Sequence, residues 1–145
     1  MTSRATLGLA LALALAVALT AGCGPTTSRP TDYRAMTEHY SLTVSSDPVP
    51  PYARERTLFK VAVKDKSTGQ PISDGEGRIF AQSRDGMRTW DALIPGPEVG
   101  TYYGNLRFIT AGDWAVAIQF RRDSTAPLER IDWMQAIRNE RGVTP

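Results

Sequence analysis

Residues 99–120 read Val99-Gly-Thr-Tyr102-Tyr-Gly-Asn-Leu-Arg-Phe108-Ile-Thr-Ala-Gly112-Asp-Trp114-Ala-Val116-Ala-Ile118-Gln-Phe120. Tyr102, Gly104, Leu106 and Phe108 alternate with Tyr103, Asn105 and Arg107. After the turn Ala111-Gly112-Asp113, Trp114, Val116, Ile118 and Phe120 repeat the same period of two. Successive side chains of a strand point to opposite faces, so this pattern predicts two strands, each with one buried face, joined as an antiparallel hairpin.

Upstream, the same alternation recurs between turn signals. Tyr40, Leu42 and Val44 alternate with Ser41, Thr43 and Ser45 before Asp47-Pro-Val-Pro-Pro51 breaks the run, because proline supplies no ladder donor. Phe59, Val61 and Val63 face one way and Lys60 and Lys64 the other, ahead of the turn Lys66-Ser-Thr-Gly-Gln-Pro71. Ile79 and Ala81 mark an inward face over 78–83, Arg84-Asp85-Gly86 carries an Asp-Gly hairpin signal, and 87–94 form the returning strand. Pro95-Gly-Pro-Glu-Val-Gly100 turns the chain into the quoted hairpin.

Regularly spaced short strands without a helical apolar period before residue 124 predict an all-β fold, an antiparallel sandwich or barrel built on six strands. At the C-terminus Leu128, Ile131, Met134 and Ile137 follow a three-residue spacing between Pro127 and Gly142. That spacing predicts a short helix over 124–140, with an alternating strand through Ile131, Trp133 and Ile137 as the other reading.

The N-terminus is of a different kind. Arg4 precedes an uncharged run from Leu7 to Leu19, 13 residues that as a helix would cover about 20 Å. This falls short of a bilayer core of roughly 30 Å, so it reads as a cleaved export signal. Leu19-Thr-Ala-Gly-Cys23-Gly24 follows and resembles the bacterial lipobox, which implies that Cys23 is lipidated and becomes the first residue of the mature chain. Two or three acyl chains would hold such a protein at the membrane, on the extracytoplasmic face of either membrane. Gly24 to Thr37, rich in Pro, Thr and Ser, reads as a tether. The expected organisation is a signal peptide over 1–22, a tether over 23–37, a sandwich domain over 38–123 and a C-terminal segment over 124–145.

Cys23 is the single cysteine, which excludes an internal disulfide and, once lipidated, cysteine catalysis. Without Arg4, the mature chain carries 16 Lys and Arg against 15 Asp and Glu, intermixed in sign. That balance argues against nucleic acid as a partner. No serine sits in a nucleophile-elbow motif, and no glycine-rich loop opens a helix to cradle phosphate. Asp74, Glu76, Asp85, Asp91 and Glu98 read as solvated loop charges, so the sequence predicts a non-catalytic protein.

The stretch 99–118, with its Gly-x-Tyr strand and Ala-Gly-x-Trp turn, together with Phe59–Val63 and Thr68-Gly-Gln-Pro71, resembles the YtkA-like and FixH-like extracytoplasmic domains over about residues 40–121. In such sandwiches a tyrosine placed like Tyr102 returns its hydroxyl to the backbone, and Tyr102 and Trp114 read as core. The resemblance implies an all-β, antiparallel immunoglobulin-like sandwich of six to seven strands, and with it copper handling or respiratory-complex assembly. Copper(I) favours thioether and imidazole ligands, for which this chain offers Met36, His39 and Met87. The expected role is a non-catalytic binding or accessory module for another envelope protein, with Trp90 and Trp133 as anchors and no resident cofactor.

Overall fold

A computed structural model describes residues 32–142. The signal-peptide reading of 1–22 and Cys23 lie outside them. The described residues form eight strands and no helix: β1 (Tyr33–Met36), β2 (Tyr40–Asp47), β3 (Arg56–Asp65), β4 (Glu76–Ser83), β5 (Arg88–Pro95), β6 (Thr101–Arg107), β7 (Gly112–Arg121) and β8 (Glu129–Ile137).

All pairings between strands are antiparallel, in the order β1-β2-β3-β6-β5-β4-β7-β8. The series folds into two facing layers, β1-β2-β3-β6 and β5-β4-β7-β8. They are joined where the end of β5 crosses over, Ile94 and Pro95 pairing with Tyr103 and Tyr102 of β6. Earlier along β5 the two strands separate, and side chains take over from the ladder. The Asn105 amide donates to Asp91 Oδ2 at 2.7 Å, and the Arg107 amide lies 3.5 Å from Thr89 Oγ1.

The alternation read from the sequence is the alternation of burial. Leu42 and Val44 of β2, Phe59, Val61 and Val63 of β3, Ile79 and Ala81 of β4, Tyr102 and Leu106 of β6, and Trp114, Val116, Ile118 and Phe120 of β7 fill the space between the layers. Aromatic edges meet there: Phe108 and Trp114 at 5.3 Å, Tyr102 and Phe120 at 5.2 Å, Tyr40 and Phe120 at 5.2 Å. The Trp114 indole N–H donates to the Thr110 carbonyl at 3.0 Å, which satisfies the polar atom of an otherwise apolar residue.

Tyr102 carries the expected corner. Its hydroxyl donates to the Ile72 carbonyl at 2.6 Å and accepts from the Gly75 amide at 2.9 Å, tying the β3–β4 connection to β6. Burial and the Asp74 charge push the hydroxyl above its ordinary pKa, so it remains a donor. Gly75 is required by contact: a Cβ there would stand 2.0 Å from Phe120 Cζ.

Two boundaries differ from the sequence reading. Residues 124–140 hold no helix. Ile131 and Ile137 point inward as β8 pairs with β7 from Gly112↔Ile137 to Phe120↔Glu129, while Met134 and Leu128 are 65% and 51% exposed. The three-residue spacing therefore divides between two faces, and the alternating set wins because β7 has a full edge of donors and acceptors to satisfy. The segment belongs to the sandwich, which raises the strand count to eight. Likewise β1 lies inside the stretch read as tether. Tyr33 and Ala35 turn inward and the strand pairs with β2 from Tyr33↔Val44 to Met36↔Ser41, a ladder too short to leave a periodic signature.

Candidate binding face

The outward residues of the two layers differ in kind. On β2, β3 and β6 they include Ser41, Thr43, Ser45, Lys60, Lys64, Asn105 and Arg107, a mostly polar surface interrupted by Leu58, Ala62 and Tyr103. On β5-β4-β7-β8 the ladders set three rows side by side: Ala92–Arg78–Gln119–Arg130, then Trp90–Phe80–Ala117–Asp132, then Arg88–Gln82–Ala115–Met134. An aromatic pair at the centre is thus flanked by arginines on both sides.

Phe80 forms the ridge. The Arg130 guanidinium carbon lies 4.9 Å from its ring centroid and that of Arg78 5.6 Å, positions that favour cation–π attraction. Arg130 is held by Asp132 through Nε at 2.9 and 3.0 Å and Nη2 at 2.5 Å. That pairing raises the Arg130 pKa and lowers that of Asp132. Arg78 Nε donates to Gln119 Oε1 at 2.7 Å. Arg84 and Arg88 form no ion pair among the described residues.

Trp90, opposite Phe80 on β5, is 70% exposed. Between the two rings is a shallow hollow of about 440 Å³ rimmed by Arg78, Arg88 and Arg130. A second, of about 510 Å³, lies beyond Phe80 over Ala115 and Ala117 and reaches Met134. The alanines make the floor, since any larger outward residue there would fill it.

The residues singled out from sequence fall apart into different places. Met36 and His39 sit at the β1–β2 turn, where the His39 ring nitrogen Nδ1 is bound to Glu129 and the His39 amide donates to Glu129 Oε2 at 3.1 Å. Met87 lies in the β4–β5 hairpin at the opposite end of the sandwich, a strand length of roughly 23 Å away at about 3.3 Å per residue. These three donors do not meet. Among the described residues no three of His, Cys, Asp and Glu gather in a group able to hold a metal ion. Trp133 is partly buried, stacked on Tyr33 at 4.9 Å and edge-on to Phe59 at 6.4 Å, so it seals the sandwich rather than presenting an anchor. Trp90 alone of the two stands free on the surface.

Of the carboxylates read as loop charges, Glu76 and Asp91 stand instead in β4 and β5, where Glu76 pairs with Arg121 and Asp91 accepts from the Asn105 amide, while Glu98, between β5 and β6, pairs with Lys60. Phe80 and Arg130 were missed from sequence. Phe80 had a signal, since inward Ile79 and Ala81 make it an outward aromatic, whereas Arg130 could be placed only once β8 was a strand.

No protein-family model matches the chain, and no curated protein sequence does. Solved structures do. A DUF4426-family protein of Pseudomonas aeruginosa superposes with a TM-score of 0.59 at 10% identity, over 76% of this chain and 97% of its own. FetP of uropathogenic Escherichia coli, expressed in the periplasm, gives 0.52 at 9% identity, over 74% and 94%. At such identities the likeness is one of fold: this chain shares the architecture of small immunoglobulin-like sandwich proteins.

Proposed function

We propose that the chain is a non-catalytic binding or accessory module of the cell envelope, anchored through a lipid on Cys23 and docking on another envelope component through the outer face of β5-β4-β7-β8. The observation that carries this is Trp90. A large aromatic side chain held out to water on a rigid strand, beside a ridge aromatic and several arginines, has the composition of a contact surface. The leader and lipobox-like sequence support export and anchoring. The face is the module's point of contact with the envelope, and a membrane-bound protein or complex is the client it serves.

A photoactivatable residue at position 90 of the full chain, expressed in bacteria, tests the reading. Specific adducts at 90 that are absent when the probe is placed at Thr43, on the polar outer face, are expected. Equal adduct patterns at the two positions would refute it.

Copper handling, which the YtkA-like and FixH-like resemblance implies, would have to rest on His39 Nε2 with Met36. Copper(I) would need further ligands, and Met87 is a strand length away. Titration of the protein with copper(I) is expected to show no stoichiometric uptake that His39→Ala abolishes. Such uptake would restore the copper reading.

A further inference from the structure

We propose that the aromatic–arginine face lies on the phosphate-bearing headgroup layer of the membrane in which Cys23 is anchored. The sandwich would then rest flat on the bilayer, with its hydrophilic face and loop ends turned toward other envelope components. The inference rests on the reading of Cys23 as a lipid anchor and adds to it the identity of what the face touches.

Reach and position come first. Eight residues lie between Cys23 and Asp32, and the nine steps from one to the other span at most about 30 Å. The chain enters the fold at Tyr33, whose hydroxyl donates to the Asp132 carbonyl at 3.0 Å. Asp132 is the β8 member of the row Trp90–Phe80–Ala117–Asp132. Three strand spacings of about 4.8 Å separate Asp132 from Trp90, so the whole face is roughly 14 Å wide. An anchor attached at one border of the face can therefore reach a bilayer that the face itself touches.

Chemistry then chooses between the two layers, because the entry strand β1 belongs to one of them and meets the other at β8. Both carry cations. Only β5-β4-β7-β8 adds a tryptophan held out to water, Trp90, with Phe80 beside it and the exposed Met134 on β8. Tryptophan favours the headgroup boundary, where its ring is half in hydrocarbon and its N–H finds polar partners. Arg78 and Arg88 flank it without an acidic partner among the described residues. Their aliphatic stems can lie along the apolar surface while the guanidinium groups reach phosphate. The other outer face exposes Met36 on β1 and, less, Leu58 on β3 among Ser41, Thr43, Ser45 and Lys64, and it carries no tryptophan to sit at the headgroup boundary.

The test uses the full lipidated protein in vesicles containing phosphatidylglycerol brominated near the headgroup end of its acyl chains, with tryptophan emission as the readout. Trp114 is buried and Trp133 partly so. The expected result is a quenched component that Trp90→Phe removes. Each of Arg78→Gln and Arg88→Gln should lower the docked-to-undocked ratio roughly fivefold, the equivalent of about 1 kcal/mol per basic residue near an anionic surface. No quenching beyond that of Trp90→Phe would overturn the proposal, as would quenching indifferent to both arginine substitutions. Position-90 adducts in cells that are protein and not lipid would also overturn it, in favour of an acidic protein surface. Failure of the anchor reading shows separately: Cys23→Ser protein would then float with the vesicles as well as wild type does.

Discussion

Removing one oxygen from the core, by Tyr102→Phe, should cost the sandwich about 2 kcal/mol. The Tyr102 ring is fully buried, and its hydroxyl is both donor to the Ile72 carbonyl and acceptor from the Gly75 amide. Both residues are buried, so without the hydroxyl a carbonyl and an amide are left in a place from which bulk water is excluded. An unsatisfied buried group costs about 1–3 kcal/mol. Two such groups, offset by no longer desolvating the hydroxyl, give the net figure of roughly 2 kcal/mol. For a domain of this size that corresponds to a fall in Tm of about 8 °C. The assay is urea unfolding of residues 24–145, which contain all the strands described, followed by tryptophan emission and paired with Tyr103→Phe as a half-buried control. The midpoint should drop for Tyr102→Phe with an unchanged m-value, since the folded surface is the same. A loss below about 0.5 kcal/mol, within the range of ordinary surface substitutions, would refute the corner as a stabilising element.

Acid should unfold the domain by a predictable route. The carboxyl of Asp65 is held far below its usual pKa by the Ser67 hydroxyl, the Thr68 amide and Arg122, and that of Asp132 below it by Arg130; for Glu129, burial alone would raise the pKa, but Thr37 and His39 outweigh it. Because the folded values lie below the unfolded ones of about 4, these contributions are present above pH ~4 and are lost as pH falls through the folded values; Tm against pH should be flat at neutrality and fall on the acid side, with Asp65→Asn showing a shallower acid limb. An unchanged limb in that variant would discount the Asp65 cluster. Trp133→Ala should lower stability by about 2 kcal/mol, part of the usual cost of deleting a large aromatic, while leaving position-90 adducts intact. Loss of the adducts in a variant that remains folded would instead make Trp133 part of the docking surface. Gly104→Ala should destabilise by roughly 1–3 kcal/mol, because its Cβ would come 2.7 Å from Ile79 Cγ2 of the facing layer; equilibrium unfolding indistinguishable from wild type would show that Ile79 yields freely.

Much of the fold was legible because a sandwich writes its buried face directly into a period of two. Between Tyr40 and Phe120 most inward strand residues could be named from alternation, Thr57, Ser83 and Leu93 excepted, and the Asp-Gly pair at 85–86 marks the hairpin that the structure closes through the Ser83 and Met87 backbones. Reading failed at both ends for a shared reason: the edge strands are specified by the neighbour they complete. β1 offers only Tyr33 and Ala35 to the interior, and in β8 the polar Gln135 takes an inward position between Trp133 and Ile137, interrupting the apolar set. The candidate face was half legible. Trp90 stood out as a tryptophan in a strand, but its significance depends on Phe80, Arg78 and Arg130 lying beside it. That is a matter of strand order across β5, β4, β7 and β8, which alternation within a strand does not encode.

The same closure bears on how an anchor would act. In an open pair of sheets, β1 and β8 would each offer a free edge to another chain. Here Tyr33 stacks on Trp133 and bonds to Asp132, while the Ala53 amide donates to Arg138 and the Arg138 amide to Pro51. The β1 and β8 edges are thus fastened to one another or to a loop. Any pull from a lipidated Cys23 enters through β1, whose ladder to β2 is only four residues long. Without Trp133 that load would fall on a short edge ladder. With it, the load passes into β8 and, through nine registered residue pairs, into β7 and the core. If Cys23 is lipidated, the stack of Tyr33 on Trp133, a residue the sequence offered as a partner anchor, is therefore placed to pass that load into the core.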